Sequence, residues 1–278
     1  MDYFQAIIIA IIEGLTEFLP VSSTAHMIFT GALFGIQEND FVQMYQVSIQ
    51  FGAILAVVVL FWKKFFDFSN INFYFKLGLA VVPALILGFL FDDYIEAVLE
   101  KPIPIAITLI LGGVVLLLID NFYQLKSKNY SLIEKEEDLS YSKALVVGFW
   151  QCLAMMPGTS RSAASIIGGM QQGFSKKLAA EFSFFLAVPT MLAVTVYSVL
   201  LKKWNYKGVE MKGYEMITEA DNLILFLIGN FVAFLVAIIA IKSFIGLIQR
   251  YGFKIWGWYR IIVGIIFLVW FLITGASN

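Results

Sequence analysis

Charge is what this sequence has least of. Only 14% of its 278 residues are Asp, Glu, Lys or Arg, where a soluble domain carries about 25%. A chain with so little polar surface cannot clothe a core of its own size in water, so lipid is the expected solvent for most of it. Histidine and cysteine are scarcer still, with one of each. A lone Cys152 excludes an intramolecular disulfide and reads as a small buried hydrophobe, and no CxxC or His-rich pattern suggests zinc or haem. Basic residues are in no excess, 19 Lys and Arg against 20 Asp and Glu with a pI near 5.9. Nucleic acid is therefore not an expected partner. The N-terminal stretch has no basic n-region and carries Asp2, Glu13 and Glu17, which argues against a cleaved signal peptide.

What is present is apolar mass: 60% hydrophobic residues, 27 Phe and a mean hydropathy of +0.84. A bilayer core of about 30 Å asks for roughly 20 apolar residues per helix. Six stretches meet that length, near 42–62, 75–92, 103–122, 180–202, 222–249 and 255–275. Two further apolar regions, near 3–36 and 143–173, are each interrupted by a Pro and a cluster of small hydroxyl residues. Their pieces are too short to cross as helices. Each is expected to enter, break and return as a re-entrant helical hairpin, which lipid tolerates only where protein or a watery cavity surrounds the break. The expected fold is thus an all-α integral membrane protein of six transmembrane helices plus two broken re-entrant hairpins.

Lys63, Lys64, Lys76, Lys126, Lys128, Lys135, Lys143, Lys176, Lys177, Lys242, Arg250 and Lys254 fall on one side of that arrangement, against Lys101, Lys202, Lys203, Lys207 and Lys212 on the other. By the positive-inside rule the first side is cytoplasmic and both termini face outward. Sliding the sequence on itself by 137 residues sets Pro20-Val21-Ser22-Ser23 over Pro157-Gly158-Thr159-Ser160, and Ala53–Val59 over Thr190–Val196. Residues 1–278 then read as one membrane domain: a repeat half near 1–122, a cytoplasmic loop at 123–142, and a second half near 143–278. Three spans follow each hairpin, and three is odd, so the second half inserts as an inverted-topology repeat.

Ionisable groups inside membrane segments are functional candidates by default. Glu13 and Glu17, spaced i and i+4, place two carboxylates on one helix face about 6 Å apart. Either one of them keeps a proton or a cation joins them, and such oxygens suit Mg2+ or Ca2+ rather than zinc. Ser23 and His26 stand at i and i+3, a hydroxyl with an imidazole within reach. In the second break, Pro157-Gly158 leads into Thr159, Ser160, Arg161, Ser162 and Ser165. A helix N-terminus, hydroxyls and a guanidinium fork there describe an oxyanion site. Together the two breaks fit phosphoryl chemistry on a lipid. Glu181 reads as either a partner of that site or a helix-start charge. Lys242 and Arg260 are expected to snorkel near span ends, Asp120 to be interfacial, and the run Lys126–Lys143 to be a solvated loop. Inverted repeats with broken helices also build transporters and flippases, the alternative reading.

The segments EGLTEFLPVSSTAH (Glu13–His26) and PGTSRSAAS (Pro157–Ser165), joined by QFGAILAVVVLFWKK (Gln50–Lys64) and AAEFSFFLAVP (Ala179–Pro189), resemble the bacterial undecaprenyl-diphosphate phosphatases, also called bacitracin-resistance proteins. The likeness runs over essentially the whole chain. It implies a hydrolase of the bacterial inner membrane that removes the terminal phosphate of undecaprenyl diphosphate, recycles the peptidoglycan carrier lipid and protects against bacitracin. On this resemblance the acidic motif falls on Glu13 and Glu17, the essential Ser and His on Ser23 and His26, and the phosphate-binding residues on Ser22, Thr159, Ser160, Arg161, Ser162 and Ser165. A divalent cation, Mg2+ or Ca2+, and an outward-opening site are implied likewise. Ala25 stands where Gly is usual and Ser165 where Thr is usual. Whether the chain forms a homodimer is left open.

Overall fold

The computed structural model describes residues 1–99, 101–129, 131–219 and 221–274, without the side chains of 92–99 and 124–129. The side chains of Lys126 and Lys128 of the basic count, and positions 275–278 of the expected second half, therefore lie outside what is described. Helices dominate in chain order: α1 (Tyr3–Thr16), α2 (Ser23–Phe34), α3 (Asp40–Ser48), α4 (Gln50–Leu60), α5 (Trp62–Phe65), α6 (Ile71–Leu99), α7 (Pro102–Asn129), α8 (Tyr141–Cys152), α9 (Arg161–Gln171), α10 (Lys176–Val196), α11 (Gly213–Thr218), α12 (Asn222–Tyr251) and α13 (Lys254–Thr274).

Among the described residues, six helical segments are long and apolar enough to cross a membrane: Asp40–Leu60, Ile71–Phe91, Pro102–Tyr123, Lys176–Leu201, Asn222–Tyr251 and Lys254–Thr274. Each overlaps its expected stretch, and the chain is a multi-pass membrane protein. The first span is α3 and α4, joined at Ile49. At a rise of about 1.5 Å per residue, the 14 residues of α1, 12 of α2, 12 of α8 and 11 of α9 each fall well short of a bilayer core. These four short helices flank the two breaks.

The breaks are built alike. Ser22 caps α2 and Ser160 caps α9, each with a left-handed backbone (φ 70° and 75°) and each hydroxyl accepting from the N–H three residues on, Ala25 and Ala163. A left-handed non-glycine residue is uncommon and persists where its surroundings hold it. The equivalence of the caps is one residue off the sequence offset, since Ser22 rather than Ser23 corresponds to Ser160. α1 packs against α2 and α12, while α8 packs against α9 and α6; α7 lies along α13. Glycines allow the closest approaches: a Cβ on Gly14 would sit 2.7 Å from Ala233 O, and one on Gly148 would sit 2.3 Å from Ala80 O. The largest core gathers around Phe182, Phe184 and Phe185 of α10, with edge-to-face rings such as Phe18 on Phe184 at 5.4 Å.

Several expectations need correcting or refining. Arg260 does not snorkel; it is wholly buried, because four carbonyls inside the protein satisfy its guanidinium. Asp120 is buried within the protein, at the level where the spans α10 and α13 begin. It accepts from Lys176 Nζ at 2.8 Å and from the N–H groups of Phe253 and Lys254 at 2.6 and 3.2 Å, capping the start of α13 from another helix. The described part of the run Lys126–Lys143 is largely exposed, as a solvated loop would be, but it is tied down. Its start continues α7 to Asn129, and Ile133 exchanges backbone hydrogen bonds with Gly173 and Ser175 at 2.9 Å. Lys76 Nζ donates to the carbonyls of Glu136 and Glu137, and Lys64 pairs with the Glu136 carboxylate. Between α10 and α12 the chain also forms a hairpin, β1 (Lys203–Tyr206) with β2 (Val209–Lys212), antiparallel with Trp204 opposite Met211. Trp204 is buried and donates to Ser198 O.

Candidate active site

The two breaks meet. Glu17, the C-cap of α1, donates its N–H to Glu13 O at 2.9 Å, so the i, i+4 relation of the two carboxylates holds. The Glu17 carboxylate is divided between the halves of the chain. Oε1 accepts from Arg161 Nη2 at 2.8 Å, and Oε2 accepts the hydroxyl of Ser23. Arg161 Nη1 donates to Ser183 O at 2.8 Å, while Nε is buried with no partner. Its ring neighbour is Phe18, 5.8 Å from the guanidinium carbon. The fork is thus held on two sides, with one N–H unspent.

A cavity of about 250 Å³ lies against this pair, lined by Glu17, Ser22, Ser23, Thr24, Ser160 and Arg161, together with Gln50, Gln151, Thr190 and an apolar wall. α2 and α9, the helices that Ser22 and Ser160 cap, both begin at its edge, so two partial positive charges face one space. Thr159, Ser162 and Ser165 are near but do not line it. Ser162 donates to Leu19 O at 2.7 Å, a tie from the second break to the first. Ser165 donates to Arg161 O and shares a hydrogen bond with Ser183 Oγ at 2.7 Å, steadying the residue that holds Arg161. Thr159 contributes its carbonyl to Arg260.

Ser23 and His26 are not brought together. The ring Nδ1 of His26 lies 2.8 Å from Ser22 O and Nε2 lies 2.8 Å from the Tyr259 hydroxyl. A carbonyl only accepts, so Nδ1 carries the proton and Nε2 accepts from Tyr259. The imidazole follows the cap carbonyl one turn back, not the hydroxyl at i−3, and it does not line the cavity. Glu13 does not line it either. Fully buried, it has no hydrogen-bond partner on either oxygen among the described residues. Among the described residues no group of three or more His, Cys, Asp or Glu could hold a metal. Glu181 lies 3.8 Å from Lys177, one turn back at the start of α10, which favours the helix-start reading.

Three contributors escape a linear reading. Arg260 donates to Leu109 O at 3.2 Å, to Pro20 O and Thr159 O at 3.1 and 2.9 Å, and to Gly158 O at 2.7 Å. One side chain on α13 therefore clasps both breaks; an arginine inside an apolar stretch was the signal for it. Gln151, 2% exposed, gives its amide N–H to Thr190 and keeps an unpartnered oxygen. Ser183 holds Arg161 from α10. Neutral polar residues like these carry no charge to stand out in an apolar run.

The chain has close relatives among known proteins. The family model described as bacitracin resistance protein BacA matches residues 6–266. A Flavobacterium psychrophilum protein named undecaprenyl-diphosphatase is 49% identical over 269 residues, 97% of this chain and 96% of that one. Proteins of the same name from Porphyromonas gingivalis and Bdellovibrio bacteriovorus are 46% and 45% identical, covering 100% and 99% of this chain and 99% and 98% of their own lengths. Matched from end to end by these relatives, with its two hydroxyl-rich breaks joined through Glu17 and Arg161, the chain belongs to the bacitracin resistance protein BacA family.

Proposed function

We propose that this protein is a membrane phosphatase that hydrolyses undecaprenyl diphosphate to undecaprenyl phosphate and inorganic phosphate, returning the carrier lipid to peptidoglycan synthesis and conferring bacitracin resistance. One observation carries the reading: a single carboxylate, Glu17, grips both a hydroxyl and a guanidinium at the wall of one cavity. That is a nucleophile with its base, beside an oxyanion holder. Ser23 Oγ attacks the terminal phosphorus and its proton passes to Glu17. The bond from that phosphorus to the bridging oxygen breaks, and the lipid monophosphate leaves. Water then hydrolyses the phosphoserine, releasing phosphate and restoring Ser23. Arg161 and the starts of α2 and α9 hold the phosphate oxygens. His26, turned to Tyr259, orients the first turn of α2.

A divalent cation, Mg2+ or Ca2+, belongs to this proposal, held by Glu13 together with Glu17. The two bare, buried oxygens of Glu13 fit a hard cation. Such an ion would supply charge against the phosphate oxygens. The pairs α1–α2 and α8–α9 serve as the re-entrant hairpins of an inverted repeat within one membrane domain, with both termini outward. Two features support this: the matching left-handed serine caps, and the exchange by which α1 packs on α12 of the other half while α8 packs on α6. Glu17, Ser23 and Arg161 come from one chain, so the site does not require a homodimer.

The test is phosphate release from undecaprenyl diphosphate by purified protein in detergent, where no compartments exist. Release that Arg161→Ala abolishes supports the hydrolase. Tight lipid binding without hydrolysis would favour a flippase instead. Trapped phosphoenzyme should carry its label on Ser23; a label on His26 rejects the Ser23 route.

A further inference from the structure

The cavity has two kinds of wall. One end is polar, with Glu17, Ser23 and Arg161, and the other is apolar, with Ala84 and Gly88 from α6 and Met191 and Val194 from α10. α6 and α10 touch at Phe73 and Phe185, whose rings meet edge to face at 5.4 Å. Farther along, both helices line the cavity. Each has a proline just before that stretch, Pro83 and Pro189, where a helix lacks one backbone hydrogen bond and bends readily. Val194 is itself exposed, as are its neighbour Leu192 and, on α6, Leu85 and Phe89. On membrane-spanning helices such a flank faces lipid. The cavity therefore runs from the phosphate-holding groups to the hydrocarbon. Among α2, α7 and α13, by contrast, Phe29, Ile105 and Leu109 are fully buried, and Phe29 is stacked on Phe267 at 4.0 Å.

At about 250 Å³ the cavity is smaller than the roughly 300–1,000 Å³ of ordinary ligand pockets. It has room for a diphosphate head and none for a long chain, which has to leave. Gly88 stands at the apolar end. Glycine inside a helix is less stable than Ala, yet packing does not demand it here. A Cβ at this position would have only Met155 Cε within 4 Å, at 3.9 Å, an ordinary contact. Open space is what the glycine preserves.

We propose that the isoprenoid tail of the substrate leaves the cavity between α6 and α10, across Gly88, and that Gly88 is a specificity-determining residue for long-chain diphosphates. This rests on the phosphatase reading above. Gly88→Phe would fill the passage without touching the phosphate-holding groups. Its kcat/KM for undecaprenyl diphosphate should fall about tenfold or more, chiefly through KM, and by about tenfold more than its kcat/KM for isopentenyl diphosphate, whose tail is one isoprene unit. Gly88→Ala should behave as wild type toward both. Undiminished kcat/KM of Gly88→Phe for the long lipid would overturn the proposal. A second measurement uses the wild-type protein and a diphosphate lipid with a diazirine on its second isoprene unit. Cross-links should map to Ala84–Gly88 and Met191–Val194, and labels confined to α2, α7 or α13 would overturn it even if the Phe variant failed to assemble. Wild-type protein that releases no phosphate from either substrate, yet cross-links at Gly88, would sink the phosphatase reading and leave the tail path standing.

Discussion

Glu17 does two jobs with one carboxylate, and they separate under substitution. Glu17→Gln keeps a side chain of the same shape that can still accept from Ser23, but it is no longer a base or the ionic partner of Arg161. Phosphate release should fall by roughly 10²–10⁴ while lipid binding persists, measured as a drop in kcat with little change in binding of the diphosphate lipid. Arg161→Lys retains the charge and loses the planar fork that reaches Glu17 and Ser183 together. Turnover should fall by about 10²–10³, and near-normal kinetics would remove Arg161 from phosphate holding. At this scale the sequence was informative where charge is costly. Glu13, Glu17 and Arg161 stand out in apolar runs, and their convergence follows from that expense. The direction of His26 was not legible, because i+3 spacing to Ser23 and i+4 spacing to Ser22 are both open to one imidazole. Only the competing acceptor, the cap carbonyl, and Tyr259 from 233 residues away choose between them.

Among elements, α13 is the one whose role the sequence misplaced. A membrane arginine near the end of a span ordinarily reaches for the interface. Arg260 instead finds the carbonyls of Pro20, Gly158 and Thr159, which the breaks leave without helical partners, and that of Leu109 inside α7. Arg260→Met would strand those buried acceptors together. Stability should drop by about 3–5 kcal/mol, read as a lower thermal midpoint in detergent, and an unchanged midpoint would show that the breaks hold themselves. The contact between α8 and α6 makes a second prediction. Gly148→Ala forces a methyl group against the Ala80 carbonyl and should cost about 1–3 kcal/mol by the same measurement. The spans themselves were legible, since length and hydropathy suffice for a helix in lipid. The β1–β2 hairpin was not, as four-residue strands in a short polar connection leave too little pattern to read.

For the whole molecule, the arrangement of the two halves predicts which surfaces meet which compartment. In a Cys152→Ser background, a single cysteine at Asn205 in the hairpin should react with an impermeant thiol reagent from outside intact cells. One at Ser131, in the 123–142 connection, should react only after the membrane is opened. Labelling of both from outside would break the inverted arrangement.

Local composition was enough to put the chain in lipid, to mark the six spans found among the described residues, and to show that Glu13, Glu17, His26 and Arg161 sit where an apolar chain would exclude them. These follow from local quantities: hydropathy over some twenty residues, and the cost of charge in hydrocarbon. Tertiary structure decided which partners those groups take. Ser23 went to Glu17, His26 to Tyr259 and Arg260 to the two breaks. Partner choice belongs to folding because buried donors and acceptors must be satisfied by whatever the packed helices bring within reach, and those helices come from both ends of the chain.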